Sequence, residues 1–148
     1  MLNILVVDDE KNITTLIREI LSEEGHYVNV TGSLTTAKDL IKKESYDLIF
    51  LDVWLPDGDG ISLIPFIKDH QPNSFIVMIS GHANIPIAVQ AIKEGAFDFL
   101  EKPLSTDTIF ALIEKIEKEI KLRQNLLYYK EKEESQIEFI GNSEKIVQ

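Results

Sequence analysis

Three short, unbroken apolar runs, each ending abruptly in polar residues, constrain this chain more than any other feature. Ile4-Leu5-Val6-Val7 runs into Asp8-Asp9-Glu10, Leu48-Ile49-Phe50-Leu51 into Asp52, and Phe75-Ile76-Val77-Met78-Ile79 into Ser80-Gly81. Strands that are apolar without alternation suit a parallel sheet covered on both faces by helices. Phe97-Asp98-Phe99-Leu100, ending in Glu101-Lys102-Pro103, is a weaker run of the same kind, and Tyr27-Val28-Asn29-Val30 is shorter and alternates. Between the runs, apolar residues recur at helical spacing. Ile13, Leu16, Ile17, Ile20 and Leu21 precede Gly25, a C-cap candidate. Ala37, Leu40 and Ile41 follow Ser33, an N-cap candidate. Ile61, Leu63, Ile64, Phe66 and Ile67 carry Pro65 in the first turn, where a missing N–H is tolerated. Ile85, Ala88, Val89 and Ile92 lie between Asn84, the expected N-cap, and Gly95, with Pro86 in the first turn. The order β-α repeated five times predicts an α/β fold, a doubly wound five-stranded parallel sheet.

Polar residues gather after strands one, three, four and five, the edge where open α/β sheets place their sites. If strands one and three are neighbours, Asp8, Asp9 and Asp52 meet there. Three carboxylates within ~5 Å repel by roughly 3 kcal/mol per pair at an effective dielectric near 20. A hard divalent cation offsets this, and oxygens on short side chains suit Mg²⁺, which keeps open positions for phosphoryl oxygens. Lys102 can neutralise one carboxylate and later pair with a phosphoryl group, and Ser80 offers a hydroxyl to the same oxygens. Taken singly, an Asp after a strand reads as a turn former or helix cap, and a lone Lys-Pro reads as a loop. Their joint placement, each directly after its own buried strand, favours a site.

The fifth helix is unusual. It starts near Ser105 or Thr106 and meets no Gly or Pro until Gly141. Ile109, Ile113, Ile116 and Ile120 step by four, three and four, Arg123 takes the next seam position, and Leu127 falls one heptad after Ile120. The expected helix, from about residue 106 to about 134, is ~40–45 Å long at 1.5 Å per residue. A five-stranded core needs only its first half. The remainder is either a solvated tail or a two-stranded coiled coil making a homodimer through the fifth helix and linker.

Composition removes several classes of function. With 15 Lys+Arg against 25 Asp+Glu in 148 residues, the net charge is −10. Residues 1–104 hold 16 acidic and 8 basic residues, so the acidity belongs mainly to the five-stranded unit. Such a surface disfavours phosphate backbones and anionic membranes, so no nucleic acid and no membrane is expected to bind it directly. The chain has no cysteine, which excludes disulfides and thiolate chemistry and suits a reducing cytoplasm. No apolar run approaches ~20 residues, and Met1-Leu2-Asn3-Ile4 does not read as a signal peptide. A cytoplasmic location is expected.

The segments Leu5-Val6-Val7-Asp8-Asp9-Glu10, Leu51-Asp52-Val53-Trp54-Leu55-Pro56-Asp57-Gly58-Asp59-Gly60, Met78-Ile79-Ser80-Gly81-His82 and Gly95-Ala96-Phe97-Asp98-Phe99-Leu100-Glu101-Lys102-Pro103 together resemble receiver domains of bacterial two-component response regulators. They resemble in particular those of NtrC-type regulators of the NtrX branch. The resemblance implies a CheY-like (flavodoxin-like) sheet of order 2-1-3-4-5 with an extended C-terminal fifth helix. It implies that Asp52 accepts a phosphoryl group from the phosphohistidine of a sensor histidine kinase. Asp9, Asp52 and the backbone carbonyl of Trp54 would ligate Mg²⁺, and Asp8 would act through a water. Lys102 and Ser80 would contact the phosphoryl group, with Ser80 and Phe99 as the switch. Phe99 stands where many receivers have Tyr, which removes a hydroxyl. Trp54 and His82 would flank the path of the water that hydrolyses phospho-Asp52. The resemblance further implies a receiver domain at 1–120, a helical or coiled-coil linker at 121–136, and at 137–148, around Phe139-Ile140-Gly141-Asn142-Ser143, the start of a truncated AAA+ ATPase. The intact protein would then act on σ54 polymerase and DNA, while this segment, which lacks a P-loop, would not hydrolyse ATP. Three other readings fit less well. A haloacid-dehalogenase-type phosphatase needs a second Asp where Trp54 stands. A Rossmann domain needs a Gly-rich turn where Asp8-Asp9-Glu10 stands. A pseudo-receiver does not need the complete set of Asp8, Asp9, Asp52, Ser80 and Lys102.

Overall fold

The computed structural model describes residues 1–82 and 84–147, with side chains described as far as Lys132. Residues Met1–Thr106 form one compact unit, and the helical segment beyond forms a second. The elements are β1 (Asn3–Val7), α1 (Lys11–Glu23), β2 (Tyr27–Thr31), α2 (Leu34–Lys43), β3 (Leu48–Asp52), α3 (Ile64–His70), β4 (Phe75–Ser80), α4 (Ile85–Glu94), β5 (Asp98–Glu101) and α5 (Thr106–Val147). The sheet is parallel throughout, in the order β2-β1-β3-β4-β5. That is the expected 2-1-3-4-5 arrangement. Its central strands are the three unbroken apolar runs, and every residue of β3 and β4 is buried. The register sets Val6 against Phe50 and Phe50 against Val77, so the polar ends of β1, β3 and β4 arrive at one edge.

The helix ends follow local chemistry. The Ser33 hydroxyl accepts the Thr36 N–H at 3.2 Å, and Asn84 accepts the Ile87 N–H at 3.3 Å. Gly25 (φ +89) and Gly95 (φ +119) take the left-handed conformation that releases the chain after α1 and α4. Ala37 and Ile41 of α2, Ile64 and Ile67 of α3, and Ala91 of α4 join Leu5, Ile49, Leu51, Ile76 and Met78 in one apolar core. Two features depart from the expected pattern. A 3₁₀ turn, Gly60–Leu63, precedes α3, with Asp59 Oδ1 accepting the Ile61 N–H at 2.8 Å. Before it, Trp54–Leu55 pairs antiparallel with Gly58–Asp59 in a two-stranded ribbon.

Helix α5 continues to Val147, past the expected end near residue 134, with ion pairs Lys118–Glu114 (3.1 Å) and Arg123–Glu119 (3.7 Å) along it. The expected seam divides along this helix. Ile109, Ile113 and Ile116 are buried and Ile120 is half-buried, whereas Leu127 is 61% exposed, beside exposed Leu126, Tyr128 and Tyr129. The side chains of 137–148, where an ATPase domain is expected to begin, lie outside the described residues. Among the described residues no helix is long and apolar enough to cross a membrane.

Candidate functional site

Four chain segments meet at the carboxyl edge of the sheet. Asp8 follows β1. Its N–H donates to the Thr31 carbonyl (2.9 Å), and its Oδ1 accepts the Glu10 N–H (2.9 Å), a turn that starts α1. Asp52 closes β3 and is 4% exposed. The chain then doubles back so tightly that a Cβ on Gly60 would collide with the Asp52 carbonyl, while the Gly60 N–H donates to Val53 O at 2.7 Å. Only glycine permits that approach. Ser80 closes β4, and its carbonyl accepts the Lys102 N–H at 2.7 Å. The Lys102–Pro103 bond is cis.

The Lys102 ammonium stands among three carboxylates, 2.8 Å from Asp8 Oδ2, 2.9 Å from Glu10 Oε1 and 3.4 Å from Asp52 Oδ2. Burial works to lower its pKa, but the close contacts with Asp8 and Glu10 and the charges of Asp8 and Asp52 prevail and raise it. One ammonium does not satisfy the set. Asp8 Oδ2 is buried and, although it touches Lys102, receives no directed hydrogen bond. Burial, and then the charge of Asp8, push the Asp52 carboxyl up to about 6, against the opposing pull of Lys102 and the Trp54 N–H. Oxygens of Asp8, Glu10 and Asp52 all lie within 4.8 Å of one another. This hard, under-neutralised oxygen set fits a divalent metal ion.

The structure brings together Asp8, Asp52 and Lys102 as the sequence suggests. Asp9 is exposed and stands outside the group of three carboxylates, whose third member is Glu10. Sequence reasoning passed over Glu10; the signal was its place as the third acid of Asp8-Asp9-Glu10. Ser80 is 1% exposed, and its hydroxyl donates to the His82 carbonyl (3.2 Å) and accepts the His82 N–H (3.3 Å). The hydroxyl is thus engaged with its own loop. Phe99 is half-buried against the core. Trp54 donates its N–H to Asp52 Oδ1 at 3.4 Å and leaves its side chain 57% exposed.

A five-stranded 2-1-3-4-5 sheet with a buried Asp, flanking acids and a lysine at its carboxyl edge defines a class of α/β signalling module. The chain matches the response regulator receiver domain family over residues 4–114 and belongs to it. It is 40% identical over 126 residues to the nitrogen assimilation regulatory protein NtrX of Azorhizobium caulinodans, which covers 84% of this chain and 28% of that protein. Among solved structures it is similar to NtrX from Brucella abortus (41% identity, TM-score 0.78, covering 84% of this chain and 29% of that one). It is also similar to the beryllofluoride-activated NtrC4 receiver domain dimer (44% identity, TM-score 0.75, covering 79% of this chain and 97% of that one). The chain spans 28–30% of the length of the NtrX and NtrX-like relatives it matches.

Proposed function

We propose that this receiver domain is the phosphoacceptor of a two-component system, taking a phosphoryl group from a sensor histidine kinase onto Asp52. The observation that carries this reading is the buried Asp52 carboxylate, 3.4 Å from the Lys102 ammonium and close to two further acids. The Asp52 carboxylate attacks the phosphorus of the kinase phosphohistidine in line, a P–O bond forming as the P–N bond breaks and the neutral imidazole leaves. Lys102 leaves its carboxylates and pairs with a phosphoryl oxygen. Ser80 exchanges its bond to the His82 backbone for one to the same group, beside Gly81, whose lack of a side chain leaves room for it. Phe99, which has no hydroxyl, follows Ser80 as the second part of the switch. Positioning and charge neutralisation do most of the work. Mg²⁺ would be held by Asp52, the Trp54 carbonyl and Asp9, which would turn in from its exposed position beside the cluster, with Asp8 acting through a water, and it would supply positive charge against the acids and the phosphoryl oxygens. The domain is a regulatory phosphoacceptor rather than an enzyme in its own right. Incubation with Mg²⁺ and beryllofluoride or acetyl phosphate should give a tight or acid-labile adduct that Asp52→Asn abolishes. No adduct would indicate a pseudo-receiver, and continuous turnover of a phosphoester would indicate a phosphatase.

The likeness to NtrX supports an effector further along the polypeptide: a receiver at 1–120, a linker at 121–136, and from 137 an ATPase acting on σ54 polymerase, with DNA bound elsewhere in the intact, cytoplasmic protein. The domain works as a homodimer through α5 and the linker. Support comes from the dimeric state of the NtrC4 receiver and from the exposed Leu126, Leu127 and Tyr128. Ile116 is fully buried, so a charge there would disturb folding as well as pairing. Leu127 is the cleaner probe. In sedimentation, the beryllofluoride-treated protein should have the dimer mass and Leu127→Lys the monomer mass; an unchanged mass would remove this seam.

A further inference from the structure

The loop after Asp52 is fastened to a helix that takes no part in the chemistry. Asp57 lies at the bend of the ribbon Trp54–Leu55/Gly58–Asp59. Its side chain is on the surface, yet its carboxylate accepts three hydrogen bonds, all from the start of α2. Oδ1 accepts the Leu34 N–H at 2.9 Å, and Oδ2 accepts the Thr35 N–H and the Thr35 hydroxyl, each at 3.1 Å. Ser33 already caps the third N–H, that of Thr36. Asp57 therefore supplies, from 22 and 23 residues away, the two acceptors that α2 lacks, where the helix dipole favours a negative charge. These N–H groups hold the Asp57 carboxyl below the usual carboxylate range. Gly58 tightens the seam: its φ of +150 favours glycine, and a Cβ there would press on the end of the Leu34 side chain at 2.9 Å. At the other end of the ribbon, Trp54 pairs with Asp59, and the Gly60 N–H holds Val53 O. The Trp54 backbone is thus strung between two fixed points, the end of β3 and the N-terminus of α2.

We infer that Asp57 is a positioning residue for the metal site, holding the Trp54 backbone in place through α2. This rests on the reading of Asp52 and Mg²⁺ given above. The plainer alternative is a helix cap whose loss lowers stability alone. The two differ in linkage. If the latch positions the metal loop, Mg²⁺ must tighten the latch by the factor by which the latch tightens Mg²⁺ binding.

The test uses the 148-residue chain. Mg²⁺ is titrated calorimetrically into wild type, Asp57→Asn, Thr35→Val and Asp52→Asn, and amide exchange at Leu34 and Thr35 is followed with and without Mg²⁺. An asparagine amide can accept at one atom only and turns its NH₂ toward a backbone donor. Asp57→Asn should therefore weaken Mg²⁺ binding by about fivefold, the lower end of typical coupling between sites. Thr35→Val, which removes one hydrogen bond, should fall between it and wild type. In wild type Mg²⁺ should slow exchange at Leu34 and Thr35 by the same factor, and in Asp57→Asn it should not. Mg²⁺ affinities within twofold of wild type for both variants, with exchange at Leu34 and Thr35 indifferent to Mg²⁺, would reduce Asp57 to a cap. If Asp57→Asn does not fold, Thr35→Val and the wild-type exchange decide by the same criteria. If wild type shows no Mg²⁺ binding that Asp52→Asn removes, the reading of the site falls and this inference falls with it.

Discussion

Lys102→Met is expected to lower the stability of the metal-free protein by about 3 kcal/mol at pH 7.5, as removing one partner of a buried ion pair does. The Lys102 side chain is 8% exposed and faces Asp8 and Asp52 side chains that are 0% and 6% exposed. Without the ammonium, the three carboxylates repel one another with no internal cation, and Asp52 is driven further toward its neutral form. Methionine fills a similar volume, so the change reads the charge and not a cavity. The same variant should bind Mg²⁺ several-fold more tightly than wild type, because the ion meets one more uncompensated negative charge. Binding to the folded state alone then returns stability as the logarithm of the Mg²⁺ concentration. On the proposed mechanism phosphoryl uptake should nevertheless fall, since Lys102 would also be the partner of the incoming group. Urea denaturation with and without Mg²⁺ measures the first two effects. Equal stability of the two metal-free proteins would mean that Lys102 is not what holds the carboxylates together.

The second large effect concerns pH. The Asp52 carboxyl is raised from 3.8 to about 6 in the folded protein, by burial first and then by Asp8. An acid with a raised folded pKa binds its proton more tightly folded than unfolded. Its contribution is therefore fully present below pH 3.8, declines as pH rises toward 6, and is gone above it. At about 1.4 kcal/mol per pH unit, and allowing for solvent screening, ionised Asp52 lowers stability by about 2 kcal/mol at neutral pH. Asp52→Asn should therefore be about 2 kcal/mol more stable than wild type at pH 7.5. The decline between pH 4 and 6.5 should flatten in the variant, and also in wild type saturated with Mg²⁺. Urea midpoints at pH 4.5 and 7.5 provide the comparison. A variant no more stable than wild type at pH 7.5 would mean that the site is not electrostatically loaded.

The fold was legible because buried parallel strands leave an unmistakable mark. Val6, Phe50 and Val77 sit in runs too apolar for any other position, and the polar residues that end the runs point to the edge that carries the site. Asp8, Asp52, Ser80 and Lys102 were readable for that reason. Glu10 was harder to see: whether a residue one step beyond Asp9 reaches the lysine depends on how α1 turns away from β1, and the chain pattern is silent on that. The bonds from Asp57 to Leu34 and Thr35 cross between two loops far apart in sequence, and no periodicity reports such a contact. Gly60 was visible as a glycine, but its reason, the approach to the Asp52 carbonyl, exists only in three dimensions. In α5 the spacing reads as one stripe, yet the structure buries its first three isoleucines and leaves Leu127 in solvent, so one pattern serves two surroundings.

The chain contains one tryptophan. Trp54 follows Asp52 by two residues, is bonded to it through its backbone N–H, and keeps more than half of its surface in solvent. All indole emission therefore originates beside the buried Asp52 carboxylate, and any charge arriving there alters the field around the ring. The protein carries its own optical reporter, and stopped-flow fluorescence can time each charging and discharging of the site without a label.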